Sequence, residues 1–289
     1  MGKPSLHGLI ELFIALPIFG TGALLAGLSI LWSWRGSRIE IPSMSRDRSN
    51  DPPKSAAELM AELQGDRQFQ ARRALQAQQQ RENLDAYNNE AGPLLAELAE
   101  KGFPVSSVGQ LRQEGKQYSA AVPALLRWLP QISNRAVKED VVRTLSVPWA
   151  RPAAGPALVQ AFREASDSGL RWAIANGLAV VAEDEVFEDI AELARNRAFG
   201  KSRQMLAVAL GNMTDPRAVP LLLDLLEDEE TVGHAVIGLG KLGATVAESR
   251  LRNLTAHPTK WVREEAKKAL GSITTATVSG DSPKSSKAS

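Results

Sequence analysis

No cysteine occurs among the 289 residues. That excludes disulfides, thiolate metal sites and cysteine nucleophiles together, and it leaves the compartment open. Aromatic residues make up 5% of the chain, and alanine and leucine dominate, a composition that favours helices over strands. Charge of one sign is also missing: 34 Lys and Arg stand against 33 Asp and Glu, for a net charge of +1. A dedicated nucleic-acid binder carries a basic excess, so no nucleic-acid partner is expected. Over residues 119–273 the balance is 19 basic to 19 acidic residues, which gives phosphate binding little support.

Catalytic groups are equally scarce. The three histidines are His7, His234 and His257, and none is followed by Glu. His234 reads as a packed or solvent-facing side chain rather than a ligand. No paired carboxylates, Ser–His–Asp set or phosphate loop stands out, so no catalytic, metal or cofactor site is expected. The one formal match is Gly238-Leu-Gly240-Lys-Leu-Gly243, a G-x-G-x-x-G string. A dinucleotide site places that turn between a strand and a helix. Here it falls inside a helical pattern, and close helix packing explains it.

Long apolar runs are absent except for one. Leu12 to Trp32 reads LFIALPIFGTGALLAGLSILW without a charge. Its 21 residues would span about 31 Å as a helix, close to a bilayer's hydrocarbon thickness. Trp32 and Trp34 sit where interfacial anchors belong. The run exceeds the core of a cleaved signal peptide, and WSWRG is a poor cleavage site, so an uncleaved anchor contacting membrane lipid through residues 12–32 is expected. Only Lys3 precedes it, whereas Arg35, Arg38, Arg46 and Arg48 follow, which places the C-terminal bulk on the cytoplasmic side of the cell membrane. Gly22–Ala26 and Ala23–Gly27 are small pairs four apart, the spacing through which two anchors could form a homodimer.

A linker rich in Arg, Ser, Asp and Pro follows to residue 54. Ser55-Ala-Ala-Glu58 is a capping box, which predicts a helix to about Leu63. A longer helix is expected after Asp66 and through Asn89, with too few apolar residues for a coiled coil. It reads as a solvated spacer, in part packed on the next unit. Separate helical pieces are expected at Pro93–Lys101 and Ser107–Gln113.

The C-terminal half repeats itself. VREEAKKALG (262–271) has counterparts in TVGHAVIGLG (231–240), SRQMLAVALG (202–211), LRWAIANGLA (170–179) and VKEDVVRTLS (137–146). The leucine before the last small residue falls at Leu145, Leu178, Leu210, Leu239 and Leu270, at intervals of 33, 32, 29 and 31 residues. Such a period signals stacked helical units. A second apolar helix precedes each window, and Pro123, Pro156 and Pro220 fall in its first turn, where a missing N–H costs nothing. The third unit, Val186–Ala194, lacks that proline.

The A-x-P-x-L opening, the V-R-x-x-A-x-x-A-L-G second helix and the period resemble the HEAT-repeat family, and in particular the short variety of phycobilisome-lyase-like repeat proteins. The resemblance implies an armadillo-type stack of helix pairs used as a scaffold or adaptor, and in a few members as an enzyme. The family's di-iron hydroxylases carry His-Glu pairs, which this chain lacks. Its bilin lyases work through a pocket for which no motif is seen here.

The expected fold is therefore all-α: a right-handed α-solenoid of about five helical-hairpin repeats (119–273). A transmembrane anchor (1–34), a linker (35–54) and a helical spacer (55–118) precede it, and a disordered tail (274–289) follows. The expected function is a membrane-anchored scaffold that binds a protein partner, with a tethered lyase-like or cofactor-binding enzyme as the alternative. Candidate partner-binding residues are those of the middle units that point away from their own partner helix: Trp172, Met205, Val208 and Ile237. In the outer units these positions are charged (Glu139, Asp140 and Arg143; Glu264, Glu265, Lys267 and Lys268), as befits water-facing caps. In the middle they are stacking core or an exposed groove, and an exposed apolar patch marks a docking site.

Overall fold

The computed structural model describes residues 55–113, 115 and 117–280. The apolar run 12–32, the linker and residues 281–289 lie outside the described residues. Among the described residues no helix is long and apolar enough to cross a membrane, and every regular element is helical. The chain divides into two compact units, Met1–Gln76 and Ala77–Ser289.

In the first unit, α1 (Ala56–Gly65) opens on the capping box: Glu58 N–H donates to Ser55 Oγ at 3.2 Å, and Ser55 N–H donates to the Glu58 carboxylate at 2.7 Å. Asp66 then accepts the N–H groups of Gln68 and Phe69, starting α2 (Arg67–Glu100). The expected break before Pro93 does not occur, and α2 runs through it as one helix. Proline in a helix interior removes one backbone hydrogen bond. Packing outweighs that loss here, because Ala91, Leu94 and Leu98 form one stripe that is fully buried.

From Ala77 on, α2 belongs to the second unit and caps the repeat stack. Tyr87 Oη donates to Asp140 at 2.8 Å, and the Val108 N–H donates to Tyr87 Oη at 3.2 Å. Burial first, and then the Asp140 charge, push the Tyr87 phenol well above its ordinary pKa. Glu90 accepts the N–H groups of Ser133 and Asn134, and Glu97 accepts Trp128 Nε1–H at 2.8 Å. A repeat stack needs a polar-faced cover at each end, and this segment supplies the first. A short helix α3 (Gln110–Gln113) completes it.

Five helical hairpins follow. They are α4 (Val122–Trp128) with α5 (Arg135–Leu145), α6 (Ala154–Glu164) with α7 (Ser168–Val181), α8 (Phe187–Arg195) with α9 (Gln204–Leu210), α10 (Ala218–Leu225) with α11 (Val232–Lys241), and α12 (Glu248–Leu254) with α13 (Lys260–Gly280). The leucines that marked the sequence period lie in the second helices, and Leu145, Leu178, Leu210 and Leu239 are fully buried. Each second helix packs on its own first helix and on the next second helix: α5 on α7, α7 on α9, α9 on α11 and α11 on α13. Successive first helices make no comparably close row, so the closer-set second helices form the inner row of the stack. The last helix does not end at Ile273 but continues to Gly280. TTATVS holds no proline or glycine to break the helix, and the helix ends at Gly280.

The glycine string 238–243 is a packing device. The Cβ of an alanine at 238 would lie 2.9 Å from the Ala207 carbonyl oxygen, and one at 240 would lie 2.8 Å from Ala269 Cβ. Gly243 adopts φ 59°, past the end of α11, and Ala244 N–H bonds back to Leu239 O at 3.1 Å. That is a left-handed C-terminal cap, which glycine adopts without steric cost.

Polar ties join equivalent turns one repeat apart. Arg135 bonds Asp167 at 2.9 Å, Asn212 Nδ2 donates to Ala179 O at 2.6 Å, and Arg217 pairs with Glu188. Asp184 accepts from the Thr214 hydroxyl and from the N–H groups of Thr214 and Asp215 at 2.8 and 3.1 Å. The Thr214 hydroxyl first, and then these N–H groups, hold the Asp184 carboxyl below the usual carboxylate range. The Leu170 N–H and then Arg135 do the same for Asp167. A carboxyl lowered by folding contributes stability that is present above its unfolded pKa and lost as pH falls through its folded one. Thermal unfolding followed by circular dichroism should therefore show a falling midpoint below about pH 4. Asp184→Asn should lower the midpoint at neutral pH and flatten the acid limb. An unchanged acid limb in that variant would remove Asp184 from the account.

Candidate interaction surface

The surface is built on α7 and α9. Asp167 caps α7 by accepting the Leu170 N–H at 2.7 Å. The helix then turns Leu170, Ile174, Leu178 and Val181 into the core. Trp172, Asn176 and Val180, spaced four apart, fall on the opposite side, where none of them is fully buried. In α9, Leu206 to Leu210 are all buried because the helix is enclosed by α7, α8 and α11. Only its edge, at Met205 and Val208, meets the inner side.

A groove of about 610 Å³ lies along this inner row. Its apolar floor is Trp172, Ala173, Ala179, Val180, Met205 and Val208, and Arg112, Arg143, Ser146, Asn176, Asn212 and Lys241 supply its polar groups. Three of the four candidate residues from the sequence thus converge. Trp172 remains 39% exposed, enough to offer a face to a ligand, whereas Val208 is 8% exposed and contributes floor. Ile237 does not line the groove; it is half-buried against the core on α11.

The charged groups are held in place. Arg112 donates to Asp140 Oδ1 and to the Asp140 carbonyl, both at 2.9 Å, and Arg143 pairs with Glu139 at 2.7 Å. Asn212 bridges two helices: its amide donates to Ala179 O, and its oxygen accepts Lys241 Nζ–H at 2.8 Å. Asn176 donates to Trp172 O at 2.7 Å. Among the described residues no Asp or Glu lines the groove.

Sequence reasoning missed Asn176, Asn212 and Lys241, although a signal for them existed. Asn212 and Lys241 each stand two residues after the repeat leucine, at Leu210 and Leu239. Asn176 and Arg143 stand two before theirs, in register with Val208 and Ile237. Aligning the windows on those leucines collects the strip.

Next along the row, the His234 ring lies 5.0 Å from the Trp261 ring. Burial first pushes the imidazole below its ordinary pKa, and Glu265 acts in the opposite direction. Among the described residues no three His, Asp or Glu side chains are grouped so as to hold a metal ion.

No curated protein matches the chain. Residues 155–232 match the family model for HEAT repeats, a stretch that includes α7 and α9 and so the whole apolar floor of the groove. The match shows that these central units are similar to HEAT repeats.

Proposed function

We propose that the protein is a non-catalytic, membrane-tethered scaffold that binds a protein partner in the inner groove. HEAT repeats commonly serve as protein-interaction scaffolds, and the groove over Trp172, Met205 and Val208 is the observation that carries the reading. Tryptophan and methionine on a concave surface supply anchoring area and adaptable contacts. The charge-free run Leu12–Trp32, with arginines after it, supports the tether and a cytoplasmic solenoid. The phycobilisome-lyase-like character of the repeat windows belongs to the same proposal as an architectural relationship.

The test places a photo-crosslinking amino acid at position 172, 205 or 160 of the full-length chain in cells, followed by detergent solubilisation. Gln160 is exposed on α6, in the outer row, and serves as the control. Positions 172 and 205 should give one discrete protein adduct, absent from 160 and lost when Met205→Glu accompanies the probe at 172. Equal adducts from all three positions, or none from the groove, would overturn the proposal. Circular dichroism of the Met205→Glu protein confirms that its helices persist.

A further inference from the structure

Resting on that reading, we infer that the groove takes a polypeptide segment with an apolar anchor and acidic flanks. The second helices stack in order, so Arg143 of α5 stands at one end of the apolar floor and Lys241 of α11 at the other. Arg112 stands beside Arg143, since both bond neighbouring residues of α5. Asp140 and Glu139 hold the two guanidinium groups from outside the groove lining, fixing their direction while sharing their charge. Lys241 differs: its ammonium meets only the Asn212 oxygen, and no carboxylate lies within ion-pair distance of it among the described residues. One N–H of each amide, Asn176 and Asn212, is committed to the carbonyls of Trp172 and Ala179, and the Ser146 hydroxyl donates to Val142 O. Among the described lining residues the charged groups are all cationic, with Trp172, Met205 and Val208 between them. Carboxylates at either side of a large apolar residue complement that order, and like-signed flanks would be repelled.

The chain's own C-terminal stretch does not fit. Residues 281–289 read DSPKSSKAS, with Lys284 and Lys287 against Asp281 and no large apolar side chain. The linker 35–54 is also net basic, with Arg35, Arg38, Arg46, Arg48 and Lys54 against Glu40, Asp47 and Asp51, so a separate polypeptide complements the rim better. The cations also sit in the last turns of α5 and α11, where they complement the helix dipole. That role alone would affect stability but would not select a ligand's charge, so selectivity is the readout that separates the two.

The experiment pans a random-sequence peptide library against the full-length protein in detergent. Recovered peptides are then synthesised with their acidic flanks intact or replaced by lysine, and fluorescence anisotropy measures their binding. Enriched peptides should carry Asp or Glu beside Leu, Met, Phe or Trp. The lysine versions should bind roughly tenfold or more weakly, and Lys241→Glu should shrink or reverse that preference while circular dichroism is unchanged. Affinity for the acidic peptides should fall with added salt. Absence of enrichment, enrichment without acidic bias, or an unchanged preference in Lys241→Glu would each overturn the inference. If positions 172 and 205 still crosslink a partner in that event, the groove stands and only the acidic partner falls. If they do not, both fall.

Discussion

Gly211→Ala should cost about 3 kcal/mol of folding stability, toward the upper end of what overpacking does, and lower the unfolding midpoint by about 6–12 °C in a unit of this size. The reason lies at the α9–α11 seam. A Cβ on Gly211 would stand 2.3 Å from the Gly238 Cα and 2.9 Å from the Gly238 carbonyl oxygen. Both obstacles are backbone, so no rotamer change relieves them, and the two helices would have to separate. Leu206, Leu210, Val236 and Leu239, all buried on these helices, would then lose their contacts together. Gly238→Ala meets the Ala207 carbonyl oxygen at 2.9 Å and should behave alike. Gly271 supplies the contrast. It lies within α13 with nothing within 4 Å of an added Cβ, so Gly271→Ala should gain roughly 0.5–1 kcal/mol through helix propensity. Opposite signs for the same substitution, measured by thermal or urea unfolding, would establish that the repeat glycine matters through the seam. Equal effects at 211 and 271 would refute that account.

The second large effect is expected at Arg203, whose side chain is 2% exposed. Its guanidinium donates to Asp228 at 2.9 Å and to Ala194 O at 3.2 Å, tying the end of α8 to the turn between α10 and α11. Burial alone would raise the Asp228 carboxyl; the Arg203 guanidinium, the Glu230 N–H and Arg197 outweigh it and hold the carboxyl below its ordinary range. Arg203→Ala removes one partner of a buried pair and leaves a carbonyl and a carboxylate under-satisfied, which should cost about 3–5 kcal/mol. Arg203→Met with Asp228→Asn removes both charges, keeps volume at 203 and keeps an acceptor for Glu230 N–H. That double variant should be more stable than Arg203→Ala alone. A shift of less than about 0.5 kcal/mol for Arg203→Ala, read from urea midpoints, would rule out the pair as a structural requirement.

Much of this architecture was legible because each hairpin must bury the same stripe. Leu145, Leu178, Leu210 and Leu239 recur for that reason, and the opening prolines recur because the first turn tolerates them. The cap was harder to read. The residues around Pro93 look like a helix boundary, and only the core beneath Leu94 and Leu98 shows why the helix persists. The surface divides in the same way. Trp172, Met205 and Val208 stood out because apolar side chains at outward positions are conspicuous. Asn176, Asn212 and Lys241 did not, because an isolated polar residue on or just past a helix reads as solvated until the stacking of the second helices brings it beside its neighbours. Ile237 shared the outward register yet lies outside the groove, since register along one helix does not say where a shared cavity ends.

The close crossing of Gly211 and Gly238 also has a mechanical side. Two backbones that meet without side chains between them form a narrow bearing whose spacing is set by main-chain contact, with Leu206, Leu210, Val236 and Leu239 packed beside it. Lys241 lies beyond that bearing, and Trp172 and Arg143 lie before it. A few degrees of tilt there would change the aperture of the groove while leaving each hairpin intact, so its width is a property of the seam rather than of any one repeat.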